Sequence, residues 1–250
     1  QLIIAGESAG ATVALGCLLR LRDAGAIAAC WAGAVLTFGL YDWGAGPSRR
    51  GIRASDVEDT LDPESLAVVG DRWFIGDEFG PYILETDATG RVLALHETLL
   101  EGRPARSPDH HMLAQLPNVP GVVGFNVRRS RGFEPMAATP DGARLIAAFE
   151  GPLVDPQTGQ PETLDGAAVV RLLEFDVATR RWTGRAWRYR LENPANVIGD
   201  LAMIDGTNAV LIERDDASEG SPALACNGPA RPDCFNRPAA FKRVVRIDLA

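Results

Sequence analysis

The sequence predicts a mainly β fold: an incomplete β-propeller of about three four-stranded blades, preceded by a small β-α-β fragment. Three observations carry this expectation. An acid, an apolar strand, a tight turn, a second apolar strand and another acid recur in that order three times between Asp62 and Asp215. Further strand-like runs follow each copy. Ahead of the repeats, a Gly-x-Ser-x-Gly motif stands between an apolar run and a stretch of helical period. With 46% hydrophobic and 23% charged residues, the 250-residue chain has a globular composition. Its formal charge of -8 speaks against a nucleic-acid backbone or an anionic membrane as partner.

Residues 1–48 form the first unit. Leu2-Ile3-Ile4-Ala5 reads as a strand, Gly6-Glu7-Ser8-Ala9-Gly10 as a turn, and Ala11 to Asp23 as a helix with Val13, Leu15, Leu18, Leu19 and Leu21 apolar. Trp31 to Tyr41 reads as a second buried strand. The apolar run Ala24 to Leu40 is broken by Gly25, Gly33 and Gly39, so no membrane span is expected there. The chain opens at Gln1 inside an apparent strand, with no initiator Met or basic leader, and a missing upstream portion is expected. Cys17 and Cys30 are expected to be buried thiols.

Strand, Gly-x-Ser-x-Gly and helix is the context that lifts a serine hydroxyl above a sheet. Through Gly6-Glu7-Ser8-Ala9-Gly10-Ala11 and Ala34-Val35-Leu36-Thr37-Phe38-Gly39-Leu40-Tyr41-Asp42, the unit resembles the hormone-sensitive-lipase-like branch of the α/β-hydrolases. The resemblance implies Ser8 as an acyl-enzyme nucleophile. Such a serine needs a histidine to take its proton and a carboxylate to orient that histidine. The histidines are His96, His110 and His111, all in the other unit, and the His-Gly-Gly oxyanion loop is absent. The unit therefore reads as a severed α/β-hydrolase fragment, with carboxylester hydrolysis through Ser8 as an alternative activity.

Residues 49–61, in a stretch of changed character that begins with Gly44-Ala45-Gly46-Pro47-Ser48-Arg49-Arg50-Gly51, read as a linker or splice junction. Residues 62–250 form the second unit. Its copies run from Asp62 to Glu78, from Gly132 to Glu150 and from Ile198 to Asp215. Asp141-Gly142 and Asp205-Gly206 are hairpin signals. Strands are expected at Tyr82–Thr86 and Arg91–His96, at Val169–Phe175 and Trp182–Arg190, and at Arg243–Leu249. The last copy lacks an outer strand, and both ends of this unit look cut. Trp73, Trp182 and Trp187 fall on strands and are expected to pack.

Glu64, Glu78, Glu134, Glu150, Asp200 and Glu213 recur at equivalent strand ends, so the repeats should bring six carboxylates towards one axis. Crowded carboxylates raise one another's pKa unless a cation intervenes, and hard oxygen ligands favour Ca²⁺ or Mg²⁺. Glu134 is the first candidate for general base, with Glu64 beside it. Arg131, Arg214, Lys242 and Arg243 could instead pair with the acids and leave them a structural role. His110 and His111 lie in an insertion expected to be a solvated loop, although a ligand contact is the other reading. Cys226 and Cys234 close a loop rich in Pro, Gly and Asn; a disulfide is favoured there over zinc.

Six segments in order resemble the esterase-like domain of phytase-type proteins: Asp62-Pro63-Glu64-Ser65, Gly76 to Tyr82, Arg131 to Ala137, Glu150-Gly151-Pro152-Leu153, Ile212-Glu213-Arg214-Asp215 and Phe241-Lys242-Arg243. Pro135 departs from that pattern, which usually has Gly there. The resemblance implies a phytase-like β-propeller, a periplasmic or secreted bacterial protein, and metal-assisted hydrolysis of a small-molecule phosphoester by the recurring acids. A non-catalytic propeller that binds or scaffolds is the alternative.

Overall fold

The Asp/Gly turns are too short for anything but antiparallel neighbours, so each repeat folds as a meander. The computed structural model describes residues 2–7, 31–37, 61–110, 125–216, 218–229 and 231–250. Strands β1 (Leu2–Glu7) and β2 (Trp31–Thr37) pair in parallel, with Ile3 opposite Gly33 and Glu7 opposite Thr37. Ser8, the expected helix Ala11 to Asp23, Cys17, Cys30, His111 and the linker as far as Thr60 lie outside the described residues.

The first meander is a four-stranded sheet of β3 (Pro63–Val69), β4 (Arg72–Asp77), β5 (Tyr82–Asp87) and β6 (Val92–Glu97) in that order. A small hairpin of β7 (Leu99–Leu100) and β8 (Arg103–Pro104) follows it. The second sheet contains β9 (Met136–Ala138), β10 (Arg144–Ala148), β11 (Thr163–Leu164), β12 (Ala167–Asp176) and β13 (Arg181–Arg190). There β9, β10, β12 and β13 run side by side and β11 adds a short pairing to β12. The third sheet has three strands, β14 (Asn196–Met203), β15 (Asn208–Asp215) and β16 (Lys242–Asp248). The protein is thus mainly β. Among the described residues there is no α-helix, and the sheets do not close into a ring.

Two aspartates close the hairpins in different ways. At Asp141-Gly142 the glycine takes a φ of +68°, which a side chain would resist, while the Asp141 carboxylate accepts the Ala143 N–H at 3.0 Å. At Asp205-Gly206 no left-handed glycine is needed. The Asp205 carboxylate accepts the Thr207 and Asn208 N–H groups at 2.9 and 2.7 Å and forms the turn by itself.

The core lies between sheets. Leu145 to Phe149 is buried throughout, as a strand covered on both faces must be, and Phe74, Phe133 and Phe175 are fully buried around it. Trp182 packs on Phe133 and Phe175 and donates its indole N–H to the Glu97 carbonyl at 2.9 Å. Burial of each such ring is worth about 1.5–3 kcal/mol. His110 corrects the expectation of a solvated loop. It is buried, and its Nε2 meets the Tyr82 hydroxyl, because the segment after Ser107 folds back over β5. The expected disulfide joins Cys226 to Cys234.

The edge strand β9 of the second sheet lies against both β3 and β14. Backbone hydrogen bonds stitch this junction. Phe133 donates to the Asp77 carbonyl at 3.2 Å, Glu150 to Gly132 at 2.8 Å, and Ile198 to Glu150 at 2.9 Å. Gly132 is required here. A Cβ at that position would stand 2.1 Å from the Glu78 carbonyl oxygen, well inside contact distance.

Candidate functional site

The stitched junction fixes where the acids can reach. Asp62 and Glu64 are two residues apart at the start of β3, a spacing that puts both on one face of an extended chain. Glu78 follows the end of β4 and its N–H bonds to the Asp62 carbonyl at 2.8 Å. Glu134 precedes β9 and Glu150 follows β10. One cavity of about 1150 Å³ is lined by Glu64, Glu78, Glu134, Glu150 and Asp200. Five of the six acids expected at a common centre therefore meet there.

Glu213 does not. Side chains alternate along β15, so Arg214 points to the cavity and Glu213 to the other face. There Glu213 is fully buried and accepts from the Tyr189 hydroxyl at 2.7 Å, the Asn196 amide at 2.7 Å and the Glu192 N–H at 2.9 Å. It is a saturated structural carboxylate. The strand-end equivalence failed because β15 continues through Asp215, whereas β10 stops before Glu150.

Three carboxylates converge most closely. One ligand oxygen from each of Asp62, Glu64 and Glu78 lies within 4.8 Å of the others. Glu64 Oε2 is buried with no hydrogen-bond partner. An orphaned acceptor among hard oxygen donors is what a divalent cation would satisfy, so the residues are compatible with one. Burial, then Asp62, pushes Glu64 up to about 8. Burial, then Glu150, pushes Glu78 up to about 10, and the same two causes push Glu134 up to about 11. Asp77 behind them rises through burial to about 7, although it accepts the Gly80 and Asp62 N–H groups.

Two arginines face this cluster. Arg214 reaches Glu150 at 3.1 Å, Glu134 at 3.6 Å and Asp216 at 3.7 Å. Arg131 bonds to Glu150 and Asp216. Of the cations expected to pair with the acids, these two do so. Arg243 instead joins Glu192, and Lys242 lines the cavity without an ion pair among the described residues. Sequence reasoning did not nominate Asp62 or Asp216 as site residues. The Asp62-x-Glu64 spacing on one strand face could have supplied the first. Asp216 had no repeat counterpart to reveal it.

A family model described as phytase-like, esterase-like activity of phytase, matches residues 11–250. The chain belongs to the phytase-like family. No curated protein matches this phytase-like chain. Among solved structures it is similar to hydrazine synthase of Kuenenia stuttgartiensis, at 10% identity and a TM-score of 0.29, over 76% of this chain and 51% of that one. It is also similar to a chain of a mitotic checkpoint complex, at 10% identity and a TM-score of 0.19, over 63% and 62% of the two chains. The phytase-like chain thus spans about half of the first of these and less than two thirds of the second.

Proposed function

We propose that this protein is a divalent-cation-dependent phosphoester hydrolase whose three sheets are blades of a β-propeller. The observation that carries the reading is the juxtaposition of Asp62, Glu64 and Glu78, one with an orphaned buried oxygen, and two arginines that line the same cavity as Glu64 and Glu78. Membership of the phytase-like family supports it.

In this reading Asp62, Glu64 and Glu78 hold Ca²⁺ or Mg²⁺. The cation, when bound, ionises the crowded acids and polarises a phosphate oxygen. Arg131 and Arg214 present N–H donors with the planar fork suited to phosphate oxygens, and their bonds to Glu150 and Asp216 orient them. Glu134, beside Arg214 and outside the closest acid trio, would hold the attacking water and take its proton in the ionised form that the Arg214 charge and a cation bound nearby favour. Glu150, shared by both arginines, keeps the fork aligned. A periplasmic or secreted site of action accords with the Cys226–Cys234 disulfide.

The purified chain should hydrolyse p-nitrophenyl phosphate or bis-p-nitrophenyl phosphate in Ca²⁺ or Mg²⁺ and lose this in EDTA. Loss of a general base should make Glu134→Gln slower by roughly 100-fold or more. Cation binding with no turnover under any divalent metal would leave a binding module and remove the hydrolase.

A further inference from the structure

The connection from β15 to β16 spans residues 216–241, and among its described residues the regular structure is a short 3-10 turn, Pro222–Leu224, and two isolated bridges, Gly220 to Pro238 and Ala225 to Phe235. A connection of this length with so little regular structure is uncommon in a compact domain and tends to serve function. Its two limbs are zipped. Glu219 donates to the Arg237 carbonyl at 2.7 Å, Ala239 to Gly220 at 2.7 Å, Phe235 to Leu224 at 2.8 Å and Cys226 to Phe235 at 2.9 Å. The Glu219 carboxylate accepts the Asn236 and Arg237 N–H groups at 2.8 and 3.0 Å and the Arg237 guanidinium at 3.0 Å. The disulfide closes the ladder above these rungs.

The root of this lobe is part of the cavity. Ser218, Ser221, Ala240 and Lys242 line it together with the carboxylates. The root is seated on β15, where Asp215 donates to the Phe241 carbonyl at 3.0 Å and accepts the Ala240 N–H at 2.8 Å. Glu150, Glu134 and Asp216 hold the guanidinium groups of Arg131 and Arg214 in fixed positions, whereas Lys242 is exposed and has no ion pair among the described residues. An ammonium on a flexible stem is a point charge able to follow an incoming anion.

We propose that the disulfide-locked lobe is the substrate-recognition wall of the site, with Lys242 at its root as a further contact, beside the two arginines, for the substrate's anionic group. The proposal rests on the phosphoester reading for the identity of that group. Lys242 binds and does not transfer a proton. The disulfide and Glu219 are positioning elements that act through the ladder.

Steady-state kinetics on bis-p-nitrophenyl phosphate and calorimetric binding of inorganic phosphate, both on the calcium-loaded full chain, test it together. Lys242→Gln should raise KM and weaken phosphate binding about tenfold with little change in kcat, as expected for one lost charge-assisted contact. Lys242→Arg should restore most of both. The double variant Cys226→Ser, Cys234→Ser should raise KM in the same sense and speed amide exchange at residues 219–222 and 239–242. Arg231→Gln, a matched charge loss at the far end of the lobe, should leave both unchanged. A wild type that turns over while Lys242→Gln alters neither KM nor phosphate affinity overturns the recognition role and leaves the hydrolase. A wild type without turnover, whose phosphate binding is lost in Lys242→Gln, does the reverse. Exchange that rises only between Cys226 and Cys234 overturns the positioning role of the lobe.

Discussion

Raising the pH should destabilise the cation-free protein, starting from the junction of its sheets. Burial first, and neighbouring carboxylates second, push Glu64 up to about 8, Glu78 to about 10 and Glu134 to about 11, from ordinary values of 4.5. Because each folded value lies above the unfolded one, the folded chain holds extra protons in that window. The contribution of these three groups is therefore complete below about pH 4.5 and is lost as the pH climbs towards the folded values. Each extra proton is worth about 1.4 kcal/mol per pH unit. One such proton removes about 3 kcal/mol between pH 5.5 and 7.5, and three would remove about 8, a large share of a typical 5–15 kcal/mol total. Glu85 does not mask the effect. Against its burial, Arg180 and His96 hold it below its ordinary value, so its contribution is lost only in acid. Urea unfolding in EDTA at pH 5.5, 6.5 and 7.5, followed by tryptophan fluorescence, reads the slope directly. Excess Ca²⁺ should flatten or reverse it, because the cation replaces the protons. Stability in EDTA that is level or rises across this range refutes the reasoning.

Other perturbations address the scaffold. Gly132→Ala, which forces a Cβ to 2.1 Å from the Glu78 carbonyl, should lower stability by about 2 kcal/mol or more and weaken Ca²⁺ binding, read by urea unfolding and calorimetry. Asp77→Ala orphans the buried Gly80 and half-buried Asp62 N–H groups and should cost about 2–4 kcal/mol in the same unfolding assay. Glu213→Ala removes the acceptor of three donors and should cost a similar ~2–4 kcal/mol, yet leave Ca²⁺ affinity within about twofold, since that carboxylate faces away from the cavity. Leu145→Ala, in the fully buried inner strand, should cost about 3–5 kcal/mol by denaturant titration.

The repeats were readable because strand pattern and turn chemistry are local. Asp141-Gly142 announces a hairpin, and the buried run Leu145 to Phe149 announces an inner strand, without reference to anything distant. The convergence of Glu64, Glu78, Glu134 and Glu150 was readable for a related reason, since equivalent positions in tandem repeats occupy equivalent places. What failed was finer than the repeat. Whether an acid stands beyond a strand end, like Glu150, or within it, like Glu213, reverses the face it occupies, and a strand's last residue is poorly fixed by composition. The burial of His110 against Tyr82 depends on a tertiary return of the chain that no local pattern encodes. Neither the inter-sheet bonds of Phe133, Glu150 and Ile198 nor the division of Glu150 between two arginines has a signature in one dimension.

Titration with Mn²⁺, a hard cation whose free form is counted by electron paramagnetic resonance, goes to the heart of the matter. One ion should bind per chain, yield to Ca²⁺ or Mg²⁺, and fail to bind when Glu64→Gln and Glu78→Gln are combined. A free-ion signal undiminished by the protein, or binding that survives the double substitution, would contradict the assignment of Asp62, Glu64 and Glu78 as the cation's ligands.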